Sequence, residues 1–183
     1  MTRPLILAFA GGIGSGKSTL SLGVADTLGW RRASFGAYVR VVARRRGLDA
    51  DARDIQQEVG ASLVAAGWEP FCRAVLSEAG WQPGQPLVVD GIRHAEALST
   101  LRSIAAPLPV VLVYIALDKH TRADRMRAEG IDDPRQRRRI ESHSTEVQVA
   151  TLLPPLADVT MDGSRPEADL INEIVRRVQQ DRT

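Results

Sequence analysis

A short apolar run, Leu5-Ile6-Leu7-Ala8-Phe9-Ala10, passes directly into Gly11-Gly12-Ile13-Gly14-Ser15-Gly16-Lys17-Ser18-Thr19, after which apolar residues recur four apart at Leu20, Val24 and Leu28. The run reads as a buried strand and the recurrence as a helix. Gly11 precedes Gly16-Lys17-Ser18 at the spacing G-x-x-x-x-G-K-[ST], the pattern of a phosphate-binding loop. Each part has a physical task. Glycines let backbone N–H groups curl close around a polyphosphate. The helix that follows adds the partial positive charge of its N-terminus. Lys17 brings a point charge to the terminal phosphates, and the Ser18 hydroxyl is a ligand for Mg²⁺.

Residues 11–19 are accordingly read as binding ATP with Mg²⁺. At 183 residues the chain is expected to form one domain with a sizeable core. Its hydrophobic content of 44% and charged content of 25% are those of an ordinary globular protein. No apolar stretch has the length of a bilayer span, and the first strand begins almost at once, without a signal peptide. Cys72 is the single cysteine, which excludes a disulfide framework and a cysteine zinc cluster. A cytoplasmic location is the expectation. The balance of 24 basic to 22 acidic residues, with few aromatics, argues against a protein built mainly for nucleic acid. His94, His120 and His143 stand too far apart in sequence to suggest a histidine metal site.

Strand-like and helix-like segments alternate along the chain, which predicts a parallel sheet between helices. Further strands are expected at Pro86-Leu87-Val88-Val89-Asp90, at 109–116 and at 157–161, with a short edge strand at Arg32-Ala33-Ser34. Helical stripes are Ile55, Val59, Leu63 and Ala66; Phe71, Val75 and Leu76; and Leu98, Leu101 and Ile104. The last helix carries Leu170, Ile171, Ile174, Val175 and Val178, and Ser164-Arg165-Pro166-Glu167 offers it a capping box. The expected class is α/β: a three-layer P-loop NTPase fold with a central parallel sheet, a helical substrate-binding insert at 35–80 and an arginine-rich lid at 122–142.

Three further stretches carry chemistry. Asp90 closes an apolar strand and precedes Gly91-Ile92-Arg93. Ligands of open α/β sheets sit at the carboxyl ends of the strands, so an acid there is placed to hold Mg²⁺ together with Ser18. Arg93 has a bidentate fork for an anion. Gly36 opens a helix with Arg40 one turn on. Downstream of the strongest strand come Arg122, Arg125, Arg127, Asp132-Asp133-Pro134-Arg135 and Arg137-Arg138-Arg139. Such a run is a solvated helical surface or a cover whose arginines neutralise a transferring phosphoryl group.

The order of these stretches resembles the nucleoside monophosphate kinase family, the adenylate-kinase-like enzymes. Its members carry a phosphate loop, T-G-x-x-x-R, D-G-x-(P)-R and an arginine-rich lid. The corresponding residues are Gly11 to Thr19, Phe35-Gly36-Ala37-Tyr38-Val39-Arg40, Asp90-Gly91-Ile92-Arg93 and Arg122 to Arg139. Val88-Val89-Asp90-Gly91-Ile92-Arg93, Asp132-Asp133-Pro134 and Met161-Asp162-Gly163-Ser164 are similar to a poorly characterised kinase-like group of that superfamily with a V-V-D-G-I-R motif. The resemblance implies Gly36, Arg40 and Arg93 as acceptor-binding, Lys17, Asp90 and Arg125 as catalytic, Ser18 and Asp90 at the metal, and Arg122, Arg125 and Arg138 in the lid. Phe35 and Ala37 depart from the family pattern, and Glu129 falls where relatives carry a lid arginine.

These residues imply transfer of the γ-phosphate of ATP to a small phosphorylated acceptor, a nucleoside or deoxynucleoside monophosphate. An acceptor phosphate is already ionised and needs no side-chain base. Two alternatives stand beside it: a P-loop NTPase without a small acceptor, regulatory or associated with nucleic acid, and an enzyme like the dephospho-coenzyme A kinases, whose loop is similar. Gly91 after Asp90, where water-activating ATPases place a glutamate, argues against the first.

Overall fold

The computed structural model describes residues 4–128, 130–131, 133–141 and 144–180. Glu129, Asp132 and His143, and the side chains of Arg137 and Arg139, lie outside the described residues. Strand β1 (Ile6–Ala10) leads through the glycine loop into α1 (Lys17–Leu28). Next come β2 (Arg31–Ser34), then α2 (Phe35–Arg45), α3 (Arg53–Ala65) and α4 (Trp68–Glu78). The chain continues with β3 (Leu87–Ile92), α5 (Ala95–Ala105) and β4 (Val110–Ala116). Three helices follow, α6 (Lys119–Ala128), α7 (Pro134–Glu141) and α8 (Ser144–Thr151), and β5 (Val159–Asp162) and α9 (Glu167–Gln180) close it. The strands form one sheet in the order β2-β3-β1-β4-β5, every pairing parallel.

Alternation along the central strands makes the three layers. Ile6, Ala8, Ala10, Leu87, Val89 and Leu112 pack on one face against α2, α4 and α5. Leu7, Phe9, Val88, Val113 and Ile115 pack on the other against α1 and α9. Because both faces are covered, the strands read as unbroken apolar runs, and all of β1 is buried. No helix among the described residues is long and apolar enough to cross a membrane.

Two sequence expectations need correction. Strand β3 does not stop at Asp90. Phe9 pairs with Asp90 and Ala10 with Ile92, so Gly91 is an extra residue, a bulge. Its φ of 87° lies in the left-handed region that glycine tolerates. The second is the capping box of α9. The Ser164 hydroxyl donates to Asp162 Oδ1 at 2.7 Å, as does its N–H at 2.9 Å. An aspartate turn two residues earlier has claimed the serine, and α9 starts instead from the Pro166 carbonyl, which accepts from Asp169 and Leu170.

Cys72 on α4 is fully buried, and burial pushes its thiol up to about 12. An acid kept neutral by the fold favours folding less as pH rises past the ordinary thiol value of roughly 8.5, where the unfolded chain ionises. The thiolate is the nucleophile. Iodoacetamide at mildly alkaline pH should leave Cys72 intact in the folded protein and alkylate it in concentrated guanidinium. Mass spectrometry checks this, and rapid labelling without denaturant would contradict the packing described.

Candidate active site

The glycine loop leaves β1 at the carboxyl edge of the sheet and ends on Gly16, whose φ of 83° turns the chain into α1. Lys17 is 8% exposed, and its Nζ donates to the Gly12 carbonyl at 3.3 Å. The ammonium is thereby folded back over the first half of the loop. The fit to a nucleotide phosphate rests on a helix N-terminus and a buried lysine at the end of the glycine loop.

Asp90 is 4% exposed and stands beside the loop. Ser18 Oγ lies 3.4 Å from its Oδ1. Arg32 Nη2 donates to Oδ2 at 2.7 Å, and Ser34 Oγ donates to the same oxygen at 3.3 Å. Arg32 Nε also donates to Ser21 Oγ at 2.9 Å, which ties β2 to α1. Ser34 has a second task, since its hydroxyl accepts from the Ala37 N–H at 3.2 Å and caps α2. No cluster of three or more His, Cys, Asp or Glu occurs among the described residues. One acid and one hydroxyl beside a phosphate loop still fit Mg²⁺, which keeps waters and takes its other ligands from phosphates.

A second charged knot lies over Gly12 and Ile13. Glu146 of α8 is 4% exposed. Its Oε2 accepts from the Ile13 N–H at 3.1 Å and its Oε1 from Arg93 Nη1 at 2.5 Å. Arg122 Nη2 is 3.7 Å from Oε2, and Arg122 Nη1 is 3.1 Å from where a side chain on Gly12 would begin. Burial raises the Tyr114 hydroxyl above its ordinary value, opposed by Arg122 and reinforced by Glu146. On the far side of the loop Arg125 spans two carbonyls, Ser15 at 3.3 Å and Gly163 at 2.8 Å. Helix α6, which carries Arg122 and Arg125, is capped by Asp118, whose carboxylate accepts from His120 N, Thr121 N and Thr121 Oγ1. Those bonds hold the Asp118 carboxyl below its usual value.

The sequence candidates therefore divide. Lys17, Ser18, Asp90, Arg93, Arg122 and Arg125 converge on the loop. Arg40 folds back toward Gly36, 4.0 Å from that residue's Cβ position, and makes no hydrogen bond or ion pair among the described residues. Gly36 N in turn lies 3.9 Å from the Cβ position of Gly91. Arg138 is exposed on α7. Arg32, Ser34 and Glu146 were not anticipated. Arg32 and Ser34 stood in a segment read only as an edge strand, and Glu146 carries no local signal.

A hollow borders the loop. It measures about 350 Å³ and is lined by Gly16, Thr19, Arg125, Gly163, Arg165 and Glu167 among others. Beyond β3 a cluster of rings packs around α2 and α4: Trp68 and His94 have centroids 4.9 Å apart, and Phe71, buried with Phe35, lies 5.1 Å from Phe35 and 6.0 Å from Tyr38. His94 Nδ1 lies 2.6 Å from Gln148 Oε1 on α8.

Residues 7–146 match an AAA domain family. The chain belongs to that family. A UPF0200 protein of Pyrobaculum aerophilum is 32% identical over 130 residues, which cover 70% of this chain and 69% of that protein. Among solved structures, a protein of Chloroflexus aurantiacus assigned as a kinase superposes with a TM-score of 0.64 at 23% identity, covering 99% of this chain and 97% of that one. The shikimate kinase of Acinetobacter baumannii gives 0.61 at 17% identity, covering 99% and 96%. The AAA-family chain thus has the three-layer fold of P-loop kinases, as its sequence led one to expect.

Gly163 ties the end of β5 to the loop. A Cβ there would sit 3.1 Å from the Ser15 carbonyl, 3.0 Å from that of Ala116 and 2.8 Å from Ile115 Cγ2. Two of these are backbone atoms with little room to yield. Gly163→Ala should cost about 1–3 kcal/mol of stability and weaken ATP binding through a displaced Ser15. Thermal unfolding and calorimetric titration check it; an unchanged midpoint with unchanged affinity would show that the loop gives way freely.

Proposed function

We propose that the protein transfers the γ-phosphate of ATP, as its magnesium complex, to a small phosphorylated acceptor, a nucleoside or deoxynucleoside monophosphate. The observation that carries this reading is the convergence of Lys17, Ser18, Asp90, Arg93, Arg122 and Arg125 on one glycine loop. Arginines suit the phosphates of donor and acceptor.

In this reading the loop amides hold the α- and β-phosphates and Lys17 meets the β- and γ-phosphates. Ser18 and Asp90 would hold Mg²⁺, which when bound neutralises charge across the phosphate oxygens. Arg32 holds the Asp90 carboxylate in place beside Ser18. Arg125 and Arg122 add positive charge from α6, with residues 122–142 as a lid that excludes water when closed. Gly36, Arg40 and Arg93 orient the acceptor within the region 35–80. The hollow beside Arg125 and Gly163 has the size to receive the adenosine of ATP. The work of the site is alignment and charge neutralisation, with no covalent step on the protein. Its setting is proposed to be the cytoplasm, in keeping with a single thiol that is buried and unpaired.

The test is ATP turnover against a panel of nucleoside and deoxynucleoside monophosphates, with dephospho-coenzyme A, shikimate and gluconate as alternative acceptors. A nucleoside diphosphate product supports the proposal. ADP release that no acceptor changes would replace it with an NTPase, and phosphate found on a hydroxyl acceptor would replace it with a different kinase. Lys17→Ala should lower turnover by roughly 10²–10³-fold with the unfolding midpoint retained. Arg40→Ala should raise the acceptor KM or lower turnover and leave ATP affinity nearly unchanged; loss of ATP binding instead would put Arg40 in the wrong half of the cleft.

A further inference from the structure

Glu146 occupies an unusual place for an acid. Its carboxylate is buried against the phosphate loop, accepts from the Ile13 N–H, and is gripped by Arg93 and approached by Arg122. A loop amide and two guanidinium groups are the donors that bind a phosphate. The end of the loop concerned is the one that a terminal phosphate would reach. Lys17, whose counterpart in such loops spans the β- and γ-phosphates, has its Nζ at the Gly12 carbonyl, one residue from Ile13. Amides at the start of α1, which serve the inner phosphates, carry no contact from Glu146 among the described residues.

We propose that Glu146 sets the preference of the site between nucleoside tri- and diphosphates by holding the donors that only a γ-phosphate requires. The inference rests on the reading of the loop as an ATP site. A γ-phosphate and this carboxylate would be like charges at close range in a poorly solvated place. Binding the triphosphate therefore requires Glu146 to withdraw, releasing Ile13 N–H and Arg122 to the phosphate and freeing Arg93 for the acceptor. A diphosphate ends one phosphate earlier and leaves the carboxylate where it is. The ligand shifts the position of Glu146 only by this differential interaction. Because α8 also carries Gln148, which meets His94 beside the ring cluster, withdrawal of Glu146 reaches the acceptor side through the same helix.

The experiment compares ADP with the β,γ-imido analogue of ATP by calorimetric titration of the full chain, wild type and Glu146→Gln. Glutamine keeps the shape and an acceptor for Ile13 but lacks the charge. The expected result is a gain of roughly tenfold or more in affinity for the imido analogue, with ADP affinity changed little. An equal change for both nucleotides, or weaker binding of the imido analogue, overturns the proposal. A second readout on the wild type stands whether or not the variant folds: hydrogen exchange across residues 144–151 should rise with the imido analogue and not with ADP. Equal exchange with both also overturns it. If neither nucleotide binds the wild type, the ATP reading itself falls; if both bind and the preference does not move, only the role of Glu146 falls.

Discussion

Burying Asp90 near the end of β3 obliges two other elements to meet its charge. A carboxylate withdrawn from water costs on the order of several kcal/mol unless partners satisfy it. Arg32 and Ser34 come from β2, the strand paired beside it, where Ser34 lies directly opposite Asp90. Ser18 comes from α1, and Arg32 reaches α1 again through Ser21. Because β3 lies between β2 and β1, this one carboxylate reaches β2 on one side and, through Ser18, the helix that follows β1 on the other. A buried pair of this kind is weak evidence for stability and better evidence for placement. Here it fixes the acid at hydrogen-bonding range of the Ser18 hydroxyl.

Around the loop itself the charges are distributed differently. Lys17, Arg93, Arg122 and Arg125 all approach a few residues of backbone, and the groups that receive them are carbonyls and one carboxylate. Only a planar fork can do what Arg125 does, with one nitrogen on Ser15 and another on Gly163. That bridge joins α6 to the loop and to the turn after β5 in one contact. It also gives the predicted lid arginine a structural hold on the loop in addition to its charge. The bias of the chain toward arginine, with Lys17 and Lys119 its two lysines, has a use at these positions whatever its origin.

What could be read from the residues and what could not differ by range. The loop, β1 and α1 are contiguous, so spacing alone specified them. The same holds for β4, whose β-branched run is unbroken, and for α9, whose stripe survives although its capping box does not. Asp90 was legible because an acid ending an apolar run is conspicuous. Its partner Arg32 was not, because the pairing depends on β2 lying next to β3 across the whole α2–α4 segment. Glu146 is harder still. It stands 133 residues from Ile13, in a helix whose sequence looks like any polar surface turn. Arg93 was expected to face an acceptor, and its bond to Glu146 needed the crossing of α8 over the sheet to become visible. Long-range pairing of charges leaves no periodic trace.

The bulge at Gly91 lets one strand end present Asp90 and Ile92 to opposite layers of the fold. Along a regular strand Asp90 and Ile92 would point to the same face. Inserting Gly91 sets Asp90 opposite Phe9 and Ile92 opposite Ala10, two adjacent residues of β1 that face opposite layers. Asp90 is therefore turned toward α1 and the loop, while Ile92 packs with α2, α4 and α5. Every residue beyond the bulge is displaced by one step, which brings Arg93 to Glu146 and His94 to Trp68 and Gln148. A side chain at position 91 would have to adopt a left-handed φ beside Phe35 and Gly36, so glycine alone keeps the change of phase inexpensive.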